Sequence, residues 1–168
     1  MKIILTEGCV CGSFLIDDVP ANELPASKLK NIVFTVINNI ISNKTNLIEM
    51  VDYLMTDADI STSSDEYDMG YGERSYTEYM INSSKFGDIL LKESFSEDAS
   101  LTVNGKDISE MSEDDIREVI KNIIEENVFN ATSLIWILSD LTKSFGKYKF
   151  CGHCDECGDN IVEYKLEV

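Results

Sequence analysis

Apolar and polar positions alternate at both ends of the chain and recur at helical spacing between them. The alternation over 2–7 (KIILTE) and 13–17 (SFLID) predicts two short strands joined by Cys9-Val10-Cys11-Gly12, with Pro20 and Pro25 closing the hairpin. From Ser27, a suitable N-cap, the period lengthens. Leu29, Ile32, Val33, Val36, Ile37, Ile40 and Ile41 then share one face of a helix. A shorter helix carries Leu47, Ile48, Val51, Leu54 and Met55. Ser112 caps a third, with Glu113, Asp114 and Asp115 in its first turn, where negative charge suits the helix dipole. A fourth starts at Asn130 or Thr132, runs through SLIWILSDL and ends at Gly146; being apolar on most faces, it should be central to the core. KYKF (147–150) and IVEYKLEV (161–168) flank the last cysteines as a second terminal hairpin. FGDILLKESF and SLTVNGKDIS predict further strands, the second bending at Asn104-Gly105. Residues 57–84 are polar and rich in tyrosine, which suggests an ordered loop or irregular strands. No internal repeat is visible beyond the two cysteine-tipped hairpins.

This pattern defines an α+β fold. The hairpins at 1–20 and 146–168 form a discontinuous module around a mainly helical domain, 21–145, with a short β-hairpin of its own. The 168 residues and their 43% hydrophobic content suffice for a packed core. Charge is distributed unevenly. Residues 1–48 are neutral and residues 127–168 carry −2, whereas residues 49–126 hold 21 acids and six bases, a net −15 of the chain's −17. Such a middle repels nucleic-acid backbones and anionic membranes and attracts basic partners; a solvated face is the plainer explanation of the same charge. The apolar runs fall well short of the ~18–20 residues a membrane span requires. The start, MKIILTEG, has too brief an apolar run for a secretory signal, so the expected compartment is the cytoplasm.

All five cysteines lie in the two terminal hairpins. In a reducing compartment such clustering points to metal or catalysis before disulfides. Cys151-Gly-His-Cys154 has the letters of the protein disulfide isomerase tetrad. However, it is followed by DECGDN and a strand, not by the long helix whose N-terminus lowers a thiol pKa, and Asp155 and Glu156 oppose that shift. Cys9-Val-Cys11-Gly and Cys154-Asp-Glu-Cys157-Gly each place a glycine after the second cysteine, where a knuckle must bend its amides toward the sulfurs. The two tips together resemble a zinc ribbon, with C-x-C in place of one C-x-x-C and more than 120 residues between the halves. That resemblance implies a structural Zn2+ held by Cys9, Cys11, Cys154 and Cys157, with Cys151 as the alternate ligand and His153 the least suited. Four thiolates leave no open position for catalysis, and such an ion would tie the chain ends together.

DADISTSSDEYD (57–68) resembles an EF-hand loop in its oxygen spacing, but Thr62 stands where glycine makes the turn and Asp68 is short for the last ligand, so calcium is not expected. No phosphate-binding glycine loop or nucleophile elbow occurs, and the single histidine lies among the cysteines, so no enzyme is expected. Lys143, Lys147, Lys149 and Lys165 are interleaved with acids, which argues against direct nucleic-acid binding. The expected function is therefore a non-enzymatic binding protein whose acidic middle docks on a basic protein surface. Asp57, Asp59, Asp65, Glu66 and Asp68 would supply charge, with Tyr67 and Tyr71 as anchors. In its sharpest form this is a nucleic-acid mimic, similar in charge localisation to phage antirestriction and anti-CRISPR proteins. The alternative is a zinc-ribbon adaptor or subunit of a transcription or nucleic-acid-processing complex.

Overall fold

Helical spacing marks four helices, three of them with side-chain caps: α1 (Ala26–Ile40), α2 (Lys44–Thr56), α3 (Glu113–Asn127) and α4 (Ala131–Phe145). The computed structural model describes residues 1–8, 12–56, 61–67, 75–94 and 99–168. The Ser112 hydroxyl accepts from the Asp115 amide at 3.2 Å, and the Asn43 and Asn130 side chains accept from the Asn46 and Ser133 amides at 2.8 and 2.7 Å. These bonds satisfy donors that a helix start would otherwise leave open. α1 begins at Ala26, one residue before the cap expected at Ser27. Pro25 precedes it in an extended conformation, and its carbonyl accepts from the Lys28 and Leu29 amides, so the proline starts the helix without a side-chain cap.

The chain divides into two units, residues 1–41 with 129–168, and residues 42–128. The terminal unit contains β1 (Lys2–Glu7), β2 (Ser13–Ile16), β3 (Val19–Pro20), β9 (Lys147–His153) and β10 (Asn160–Glu167), in the sheet order β3-β2-β1-β10-β9, together with α1 and α4. The expected terminal hairpins both belong to it. They are joined by main-chain pairing of β1 with antiparallel β10, from Lys2↔Glu167 to Glu7↔Val162. The Met1 ammonium donates to the Val168 carbonyl at 2.6 Å, and the Val168 amide donates to the Met1 carbonyl at 3.0 Å. The core is Ile3, Leu5, Ile16 and Leu166 from the sheet, with Leu29, Val33 and Val36 of α1 and Leu134, Ile137 and Leu138 of α4. α4 is not buried on most of its faces: Trp136, off the Leu134-Ile137-Leu138-Leu141 stripe, is 66% exposed. Gly146 caps α4 where an added Cβ would lie 2.3 Å from the Thr142 carbonyl oxygen and 3.3 Å from the Lys165 backbone. Gly146→Ala is therefore expected to cost about 2–3 kcal/mol in denaturant unfolding, since both obstacles are backbone.

The central unit, residues 42–128, combines one sheet with two helices. It contains β4 (Thr62–Tyr67), β5 (Ser75–Ser83), β6 (Gly87–Ser94), β7 (Ser100–Val103) and β8 (Lys106–Asp107), in the order β4-β5-β6-β7-β8, with α2 packed on α3. Within 57–84, where an ordered loop or irregular strands are expected, residues pair regularly, Thr62↔Met80 to Tyr67↔Ser75. The β5–β6 turn is held to successive turns of α3. The Ser83 hydroxyl donates to the Asn122 side chain at 2.5 Å, the Ser84 amide and hydroxyl donate to Glu126, and Lys85 pairs with Glu118 at 2.8 Å. The Lys85 and Ser84 hydrogen bonds are the main causes holding the Glu118 and Glu126 carboxyls below the ordinary glutamate range. Depressed folded-state values mean that this contribution is present above the unfolded-state pKa and lost as pH falls through the folded one. Side-chain carbon NMR should show both groups titrating below the usual glutamate midpoint, and an ordinary midpoint for either would contradict the clamp.

The two units share one plan, an internal repeat that the sequence pattern does not disclose. The start of every element from β2 to α2 recurs 87 residues later: β2/β7, β3/β8, a single 3₁₀ turn (Ala21–Glu23 and Ile108–Glu110), α1/α3 and α2/α4. Asp17-Asp18 and Asn104-Gly105 make the same turn with positive φ at both residues, 48° and 65°, 49° and 76°. β1 then corresponds to β6, β10 to β5 and β9 to β4, since Ile3 faces Ile16 and Leu166 just as Ile89 faces Val103 and Ile81.

Candidate functional site

The second cysteine tip is a hairpin loop closed from both sides. The Cys154 amide donates to the Asp159 carbonyl and the Gly158 amide to the Cys154 carbonyl, each at 2.8 Å. Gly158 has φ +78°, which explains the glycine after Cys157. Cys154 is buried while Asp155–Asn160 are exposed. One residue is inserted into β9, where the register with β10 passes from Ile161↔Gly152 to Val162↔Phe150. The insertion leaves Cys151 exposed in a bulge and Gly152 at φ +133°. The exposed His153 packs edge-on against Phe150, with ring centres 5.3 Å apart.

The register aims both hairpins the same way. Glu7, the last residue of β1, lies opposite Val162, two residues inside the start of β10, so both turns leave the same end of one sheet. Cys9 and Cys11 lie outside the described residues. Among the described residues no group of three or more metal-ligating side chains is placed to hold an ion. Cys157 is disulfide-bonded, and a disulfide sulfur is not a thiolate ligand, so it fits a metal only after reduction.

Of the acidic surface expected to meet a partner, Asp57, Asp59, Asp68 and Tyr71 lie outside the described residues. Asp65, Glu66 and Tyr67 lie on β4, opposite Thr77, Tyr76 and Ser75 of β5. β4 is extended through Thr62–Tyr67, so this half of the EF-hand-like stretch follows a sheet. More charge is found on α3. Glu113, Asp114, Asp115, Glu118, Glu125 and Glu126 occupy the positions that α1 fills with Ala26, Ser27, Lys28, Asn31, Asn38 and Asn39. α1 forms without one acid, so the fold does not require this charge at those positions. By whole units, residues 42–128 carry 21 acids and seven bases, net −14, and the terminal unit carries −3.

Sequence reasoning missed four exposed aromatic side chains on the terminal unit. Phe129, Trp136, Tyr148 and Phe150 are 72, 66, 61 and 49% exposed. Their counterparts in the central unit are Ser42, Glu49, Ser63 and Asp65. Trp136 lines an open groove of about 330 Å3 together with Leu5, Phe14, Ile135, Ser139, Asp140 and Lys143. Lys143 pairs with Glu7 at 2.5 Å, and this bond raises its pKa. The available sequence signal was the position of Trp136 off the buried stripe of α4.

Among the described residues no helix is long and apolar enough to cross a membrane. No protein-family model matches the chain, and neither a curated protein nor a solved structure matches it.

Proposed function

We propose that the protein is a non-enzymatic binding protein whose central unit docks its acidic surface on a basic surface of another protein, acting as a nucleic-acid mimic. The observation that carries this reading is the divergence in charge between two units of one plan, −14 against −3. A charge needed only for folding would be expected in both copies of that plan. A charge needed only for solubility has no reason to concentrate in one. Part of it has local work, since Glu118 and Glu126 hold the β5–β6 turn, but Glu49, Asp88, Glu93 and Glu110 are exposed and lie off α3. The test is capture of partners on the tagged chain from nuclease-treated lysate, followed by challenge with DNA or RNA. A nucleic-acid enzyme displaced by the added polymer supports mimicry, and a partner indifferent to it contradicts mimicry.

The exposed aromatic surface of the terminal unit favours a second reading, an adaptor anchored through Trp136 and its groove. Trp136→Ala would abolish capture under that reading and leave it unchanged under the first.

The cofactor belonging to either reading is Zn2+. In the reduced chain, Cys154 and Cys157 would be ligands together with Cys9 and Cys11, with Cys151 as the alternate. Because β1 and β10 already join the chain ends, the ion would order the tips and would not close the fold. Reduced protein should carry one zinc per chain by elemental analysis and lose it in the Cys154→Ser, Cys157→Ser double variant. Chelation should lower the melting temperature by only a few degrees, with the far-UV spectrum unchanged. Metal-free reduced protein, or unfolding on chelation, would contradict this account.

A further inference from the structure

The two units agree beyond their plan. Fourteen residues between Ser13 and Thr56 are buried and apolar, and thirteen of the residues 87 positions on are buried too, Met111 alone being half-exposed. Asn43 and Asn130 cap equivalent helices, and Ile41 and Val128 end the preceding ones with amides bonded to Ile37 and Ile124. Where β5 turns into β6 through Ser84-Lys85-Phe86, the terminal unit has the two ends of the chain, with Met1 and Val168 hydrogen-bonded to each other. The segment composition of the units is the remaining fact. Each combines the strands and first helix of one copy with the second helix and strands of the other.

We infer that the chain carries a tandem duplication, β1–β5 recurring as β6–β10, and that its two copies have exchanged their C-terminal halves. β1–α1 of the first copy is completed by α4–β10 of the second, and β6–α3 of the second by α2–β5 of the first. The crossings occur at equivalent short linkers, 41–43 and 128–130, whose first residues, Ile41 and Val128, are buried and extended. Short linkers between helices are where exchange of halves is favoured. A chain of one such segment is thus complementary to a second copy of itself, recognising it by strand pairing (β1 on β10, β6 on β5) and helix packing (α1 on α4, α3 on α2). The two completed units are free to diverge, which is how one sheet plan carries cysteines and exposed aromatics in one unit and charge in the other. This inference does not depend on the proposed function.

Cross-strand NOEs in the unmodified protein decide the exchange. Exchanged halves place Ile4 opposite Lys165 and Leu90 opposite Met80. Copies closed on themselves would place Ile4 opposite Met80 and Leu90 opposite Lys165, and those NOEs would overturn the inference. A circular permutant tests the duplication. Val168 is joined to Met1 through Ser-Lys-Phe, copying 84–86, and new termini are opened within 84–86. Native helix content and a denaturant midpoint close to that of the parent are expected. A permutant that fails to fold would overturn the equivalence of the chain ends with the β5–β6 turn.

Discussion

Ile3→Ala and Ile89→Ala should each lower stability by about 3–4 kcal/mol in denaturant unfolding. Both residues are fully buried. Each lies on the central strand of a five-stranded sheet, and each faces one apolar residue on either side: Ile16 and Leu166 around Ile3, Val103 and Ile81 around Ile89. Truncation removes three carbons from a close-packed cluster and leaves a cavity that two flanking strands keep from collapsing. The likeness of the two losses is the informative part. A loss below about 1 kcal/mol in one variant and not the other would show that the positions are not equivalent, against the shared plan.

Neutralising Glu49, Asp88, Glu93 and Glu110 together (to Gln, Asn, Gln and Gln) should weaken partner binding by about 30-fold or more at 0.1 M salt, by titration calorimetry. All four are exposed and off α3, so their removal leaves the β5–β6 clamp intact. The estimate takes about 0.5 kcal/mol for each exposed charge facing a basic surface, roughly 2 kcal/mol in sum. Equal affinity before and after neutralisation would shift the account to the aromatic surface around Trp136.

Much of the local structure was legible in the sequence. Four helices announced themselves by spacing, two of them also by caps at Ser112 and Asn130, and Asn104-Gly105 marked its turn by chemistry. Asp17-Asp18 makes the same turn without a glycine and was not recognised. The stretch holding β4 predicts an ordered loop or irregular strands because its Thr, Ser, Asp and Glu residues lack alternation; pairing with β5 makes it a regular strand. The repeat was hidden because only eight of 44 residues are identical between 13–56 and 100–143. The core conserves burial and volume class, with Leu29/Ile116, Val36/Ile123 and Met50/Ile137 as examples, and a reading by letters does not see that. The terminal hairpins were expected to need an ion to join them. The ladder between β1 and β10 is long-range and leaves no local signature. Of the candidate sites, the turn at Cys154–Gly158 follows from its glycine spacing, whereas among the exposed aromatics only Trp136, off the buried stripe of α4, left a signal in the sequence.

The central claim is that partner binding runs through the charge of the central unit, and the salt dependence of the dissociation constant tests it most directly. Between 0.1 and 0.5 M salt the screening length falls from about 10 Å to about 4 Å. The account predicts a dissociation constant that rises steeply and linearly on logarithmic axes, by at least about tenfold over that range. A constant that stays flat across it would contradict the account.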